Sequence, residues 1–227
     1  MPKKAKERSM AKLIRKSLGE STANILRERI ITGEYPAGMR IREDELAREF
    51  DISRICVREA LLILDREGLL DKRANRPACV RTYSAKNVKD LLEYRAMLET
   101  AAAASLIKSG VIPEAELEEA IEQMRRLHEG AMTSQQYLEA DILFHDTLIR
   151  SVKNEYFDLS WSTVRSQYLM LMYALYKVRG EEFSSGFEAH MKIVDMLKKA
   201  DTQGVRELII RHVMSNCDSI YQLVCVE

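Results

Sequence analysis

From about Ser84 to Glu227 no segment alternates apolar and polar residues with period two; apolar residues return every three to four positions instead. That pattern confines this part of the chain to helix. Candidate helices run over 86–108, 113–130, 134–150, 155–178, 184–200 and 203–223. They are punctuated by Gly110-Val111-Ile112-Pro113, by Gly130 to Ser134, by Lys153-Asn154, by Gly180 to Gly186 and by Asp201 to Gly204. Six helices joined by short connections pack as antiparallel neighbours, so a bundle is expected. Roughly 145 residues can bury a core without disulfides. The longest strongly apolar run, Tyr168 to Tyr176, is far short of the ~20 residues of a membrane helix. Cys56, Cys79, Cys217 and Cys225 lie far apart with no CxxC pair, which fits a reducing cytoplasm better than a disulfide framework.

The first 82 residues are different. They hold 19 Lys and Arg against 13 Asp and Glu, a net of +6, and the remainder of the chain carries −6. Residues 1–19, with seven Lys and Arg and one Glu, supply that whole excess and read as a basic flexible arm. Residues 20–82 balance at 12 against 12, so polyanion binding there depends on where charges point. Ser21 or Thr22 can cap a helix carrying Ile25, Leu26, Ile30 and Ile31, with Gly33 as its stop. Pro36-Ala37-Gly38 is a turn. A short helix at 43–50 turns Leu46, Ala47 and Phe50 inward, and Asp51-Ile52 connects it to a third helix capped by Ser53. Val57, Leu61 and Leu64 make one buried stripe on that helix, and Gly68 ends it. Leu69-Leu70 and Cys79-Val80 read as strands around a polar loop, Asp71 to Ala78. Helix, short helix, capped helix and hairpin is the order of a winged helix-turn-helix. The predicted fold is mainly α: an N-terminal winged helix-turn-helix at 20–82 and a C-terminal all-helical antiparallel bundle at 83–227.

A recognition helix needs its first side chains in the major groove and its opposite face on the supporting helices. The segment from Ser53 to Leu61 offers both. Arg54 and Arg58 have the fork that suits guanine or phosphate, and the Ser53 hydroxyl suits a phosphate oxygen. Lys72, Arg73 and Arg76 in the wing can reach the DNA backbone or minor groove. Arginines paired to Glu59 or Asp65 on a solvated face are the plainer reading of any isolated pair.

These residues carry a resemblance. Ile25 to Gly38, then Glu45-Leu46-Ala47, Ser53-Arg54, Val57-Arg58-Glu59-Ala60-Leu61 and Glu67-Gly68-Leu69-Leu70 resemble the helix-turn-helix of GntR-family transcriptional regulators. The sequence departs from that pattern at Asp51, where Gly is usual. It departs again at Ile55-Cys56, where polar or small residues are common, and at Pro77 near the wing tip.

Asp141 and His145 stand four apart and share a helix face; His190 and His212 lie on later helices. One carboxylate and three imidazoles suit Zn, Ni, Mn, Co or Fe. From spacing alone a surface pair and satisfied buried histidines are the plainer reading. Asp141 to His145, Glu188-Ala189-His190 with Ile193-Val194, and Val205 to His212 are similar to the FCD effector-binding domain of the FadR subgroup. The resemblance implies a divalent transition metal on these four side chains. His128 has no place in it and reads as an exposed helix residue. Tyr94 to Glu99 resembles the first helix of that domain, where Arg95 either clamps an effector carboxylate or pairs with Glu99. Arg150, Asn154, Arg165 and Tyr168 sit at polar positions that could line a cavity, whereas the run 168–173 reads as core or dimer surface.

The implied function is a regulator, most simply a repressor. It would bind a pseudo-palindromic double-stranded DNA operator as a homodimer and answer to a small organic or sugar acid. The alternative is a metal-dependent hydrolase or lyase using the Asp/His site, for which no H-E-x-x-H motif or nucleophile elbow is present.

Overall fold

The computed structural model of the protein describes residues 18–71, 77–126, 133–179 and 187–224. The chain divides into two compact units, Met1–Thr82 and Tyr83–Glu227.

In the first unit, helix α1 covers 18–31. Strand β1 (Arg40–Ile41), helices α2 (Glu43–Glu49) and α3 (Arg54–Arg66), and strands β2 (Leu70–Asp71) and β3 (Ala78–Val80) follow. The strands form an antiparallel sheet in the order β1-β3-β2, with Arg40 opposite Cys79 and Leu70 opposite Val80. Strand β1 is an addition to the predicted hairpin, and two residues are too few to show any alternation. The expected cap of α1 is corrected. The helix is already formed at residue 18, so Thr22 is buried inside it, its hydroxyl donating to the Leu18 carbonyl at 2.7 Å. Of the apolar residues α1 carries, Leu26, Ile30 and Ile31 are buried and Ile25 is 42% exposed. Of the inward trio on the short helix only Leu46 is buried; Phe50 ends α2 and takes the Arg29 guanidinium over its ring at 5.3 Å.

The turn into α3 is built by Asp51, whose φ of +51° is left-handed. Aspartate tolerates that conformation better than most non-glycine residues, which lets it stand where glycine is usual. Val57, Ala60, Leu61 and Leu64 pack inward with Leu26, Ile30, Ile41, Leu69, Leu70 and Val80 as the core. A bidentate pair from Arg27 to Glu67, with both contacts at 2.6 Å, ties α1 to the end of α3.

The second unit is helical: α4 (Ala85–Ser109), α5 (Glu114–Arg126), α6 (Ser134–Arg150), α7 (Glu155–Arg179), α8 (Phe187–Lys198), α9 (Thr202–Met214) and α10 (Cys217–Val224). Ser84 with Asn87 and Thr133 with Gln136 form capping boxes that start α4 and α6. The single helix expected at 203–223 is two. The Ser215 hydroxyl donates to the His212 carbonyl at 2.7 Å and competes with the helical ladder, and Asn216 restarts the next helix. Helix α4 packs against α6, α7, α8, α9 and α10 and so forms the middle of the bundle. The apolar run on α7, Tyr168 to Met172, is buried as core.

The phase of α3 gives a test. Leu64 is fully buried, whereas Leu62 is 42% exposed. Leu64→Ala is expected to destabilise the first unit by roughly 2–5 kcal/mol and Leu62→Ala by less than about 0.5, read from denaturant midpoints.

Candidate functional site

The start of α3 presents charge to solvent. Ser53 caps the helix, its Oγ accepting from the Cys56 amide at 3.3 Å and donating to Cys56 Sγ at 3.2 Å. Its hydroxyl thus holds the helix start through the Cys56 amide. Arg54, the first helical residue, is exposed, and the first turn carries no acidic side chain. Cations at the positive end of a helix are electrostatically unfavourable; a negative ligand would reverse that cost. Arg58 is also exposed and pairs not with Glu59 or Asp65 but with Glu43 of α2, at 2.6 Å. An exposed pair of this kind is worth at most about 1 kcal/mol and yields readily to a phosphate or base. Lys72, Arg73 and Arg76 lie outside the described residues, as does His128.

The second constellation lies inside the bundle. Asp141 and His145 project from one face of α6. Helices α8 and α9 pack together, and the chain reverses between them at 199–201. His190 near the start of α8 therefore meets His212 near the end of α9. One ligand atom from each of the four residues lies within 4.8 Å of all the others. Nε2 of His190 is 3.3 Å from both Asp141 Oδ1 and His145 Nε2. Asp141, His145 and His190 are buried, and Phe144 sets its ring edge-on to both histidines.

Electrostatics put these groups in ligand form. Burial pushes the His145 imidazole below its ordinary value, and burial together with His190 and His145 pushes His212 lower still. Both rings are thus neutral at pH 7, the state that binds metals. Full burial would raise Asp141, but the hydrogen bond from His190 and the neighbouring charges outweigh it and keep the carboxyl ionised. Glu99 of α4 is likewise buried, yet Arg95 and His145 hold it down at about 2. An ionised carboxylate only accepts, so at 2.8 Å His145 Nδ1 carries the proton to Glu99 Oε2 and Nε2 is left for the cluster.

Two further buried atoms, Asp141 Oδ2 and Arg95 Nη2, have no hydrogen-bond partner. An orphaned carboxylate oxygen beside three imidazoles is what a cation site requires, and the donor set of one oxygen and three nitrogens suits a transition metal. The cluster can hold a metal ion.

The structure brings Arg95 and Tyr168 to this centre and sets Arg150, Asn154 and Arg165 elsewhere on the bundle. Arg95 is buried, donates from Nε to Glu99 Oε1 at 2.6 Å and lies 3.8 Å from the centroid of Tyr168. The pairing with Glu99 is therefore present, and the buried Nη2 is left without a hydrogen-bond partner. Arg165 pairs with Asp146 at 3.1 Å. Both line a cleft of about 500 Å³ with Gln123, Arg126 and Gln136, on the flank of α6 opposite Asp141 and His145. Arg150 is exposed at the end of α6, and Asn154 caps α7 through the Tyr156 amide. Two residues escaped the sequence reading: Glu99 as the orienter of His145, and Trp161, which donates to Asp146 and stands 5.9 Å from Arg95. No local motif marks either role.

A family model described as bacterial regulatory proteins, gntR family, matches residues 18–80, and one described as FCD domain matches residues 90–215. The gluconate operon transcriptional repressor of Bacillus subtilis (strain 168) is 28% identical over 93% of this chain and 87% of its own length. The HTH-type transcriptional repressor RspR of Escherichia coli (strain K12) is 26% identical over 88% and 87%. Among solved structures, E. coli McbR/YncC superimposes with a TM-score of 0.73 at 22% identity, covering 90% of this chain and 97% of that one. A GntR transcriptional regulator from Rhodococcus sp. RHA1 gives 0.70 at 22%, covering 91% and 98%. These two likenesses concern the fold alone.

The orienting role of Glu99 is testable. Glu99→Gln is expected to weaken transition-metal affinity about tenfold in chelator-competition titrations. Unchanged affinity would remove Glu99 from the site.

Proposed function

Because the chain belongs to the gntR family of bacterial regulatory proteins, its helix-turn-helix followed by an FCD domain, we propose that this DNA-binding transcription regulator is a metabolite-controlled repressor. Family membership places the chain among regulators, not enzymes, and the hydrolase or lyase alternative falls with it. A homodimer of the helical domain presents two winged domains to a pseudo-palindromic operator. Arg54 and Arg58 contact base edges or phosphates, and the wing residues Lys72, Arg73 and Arg76 the DNA backbone. The repressor sign is supported by the relatives named above. No helix among the described residues is long and apolar enough to cross a membrane; binding to bacterial DNA sets the site of action in the cytoplasm.

The effector is a small organic or sugar acid. The observation that carries this reading is the pair of orphaned buried atoms, Arg95 Nη2 and Asp141 Oδ2, at one polar centre of the bundle. Asp141, His145, His190 and His212 would hold a divalent transition metal, which supplies a positive, Lewis-acidic centre when bound. Arg95 donates to the effector carboxylate, Glu99 and Tyr168 fix its guanidinium, and the surrounding core excludes water. The name of the gluconate operon repressors agrees with an acid of this class. The effector controls DNA binding only through different affinities for two arrangements of the dimer.

Genomic fragments captured on the full-length protein, with an Arg54→Ala, Arg58→Ala protein as control, test the reading. A few enriched palindromic sites beside metabolic genes are expected; no enrichment over the control overturns it. On such a site Arg54→Ala should cost on the order of 1–3 kcal/mol of affinity and relax sequence preference. His190→Ala should lower bound metal, measured by elemental analysis, and blunt the effector response while effector-free DNA binding persists.

A further inference from the structure

The first turn of α3 carries one side chain that neither the core nor the charge pattern uses. Ile55, the second residue of the helix, is 53% exposed. The apolar stripe lies elsewhere, on Cys56, Val57, Ala60, Leu61 and Leu64. Ile55 stands beside Arg54 and shares a face with Arg58, three residues on. A single exposed apolar residue is ordinary on a protein surface. Its place here is not: it lies on the outward side of the first turn, next to exposed Arg54 and on the same side as exposed Arg58, on a helix start without acidic side chains, where a recognition helix meets base edges. β-Branched isoleucine is also a weaker helix former than alanine, so the position gains nothing for the free fold. The base edges of the major groove display one methyl group, the C5-methyl of thymine.

We propose that Ile55 is a specificity-determining residue that selects thymine at one position of each operator half-site by apolar contact with its C5-methyl. The inference rests on the DNA-binding reading of α3. Arg54 and Arg58 supply affinity and register, and Ile55 adds a preference that no hydrogen bond encodes. Losing one buried methyl contact is worth ~0.8 kcal/mol, about a fourfold change in affinity.

The test uses the full-length protein and duplex sites selected from a random library. In a selected site each thymine, with its symmetry mate, is replaced by deoxyuridine, which deletes only the C5-methyl. Affinity is measured by fluorescence anisotropy at fixed salt for the wild type and for Ile55→Ala, whose melting temperature should be unchanged because the side chain is exposed. The expected result is one half-site position at which the wild type loses about fourfold per methyl contact and Ile55→Ala loses nothing. Selected sites with no methyl-sensitive thymine, or equal losses in both proteins, overturn the role of Ile55 and leave the regulator reading standing. No selected site at all, compared with the Arg54→Ala, Arg58→Ala protein, overturns both.

Discussion

The bundle is organised around the neutralisation of charge inside it. Arg95, Glu99, Asp141, His145 and His190 are all buried, and an isolated ion there would cost several kcal/mol. The cost is offset by a connected chain of contacts. The guanidinium of Arg95 meets the Glu99 carboxylate and the Tyr168 face, and Glu99 in turn meets His145. Helix α4 therefore has to lie in the middle of the unit, because it carries the two residues that hold the cluster in its state. Removing either would leave the other charge buried and unpaired, so packing and site chemistry cannot be separated here. The partial exposure of His212, alone among the four cluster residues, sets the side from which the centre is least enclosed.

The DNA-reading unit follows a different logic. Its core is small and apolar, and the ion pairs on its outer face, such as Arg58 with Glu43, are exposed and of little energetic weight. Stability comes from the buried stripe of α3 and from the Arg27–Glu67 clamp, so the outer face of α3 is free to be chosen for its ligand. That division explains how a chain of zero formal net charge can contain a polyanion-binding surface: the arginines are sorted by direction rather than by number.

Much of this was legible in the sequence, for reasons that can be named. Helix α6 begins and ends where its periodicity does, at 134 and 150, and the stop after α3 is written in Gly68. What escaped depended on partners distant in sequence or on single hydrogen bonds. Strand β1 exists because β3 lies beside it. The break between α9 and α10 turns on one serine hydroxyl. Spacing placed Asp141 and His145 on one face, but only family resemblance joined His190 and His212 to them. Arg95 read equally well as a clamp for an effector carboxylate or as the partner of Glu99, and the burial of that pair was not legible, since an i, i+4 spacing says nothing about burial.

The positions of the cluster residues along the chain carry a last consequence. Asp141, His145, His190 and His212 lie on three helices that, among the described residues, no disulfide cross-links. An ion gripped by all four closes the intervening chain into loops and removes those conformations from the unfolded ensemble, as a disulfide would. Unlike a disulfide, such a tie needs no oxidant to form and reverses with ion concentration. With such an ion bound, the resistance of the folded chain to unfolding, and hence to proteolysis, would become a function of the metal supply around it.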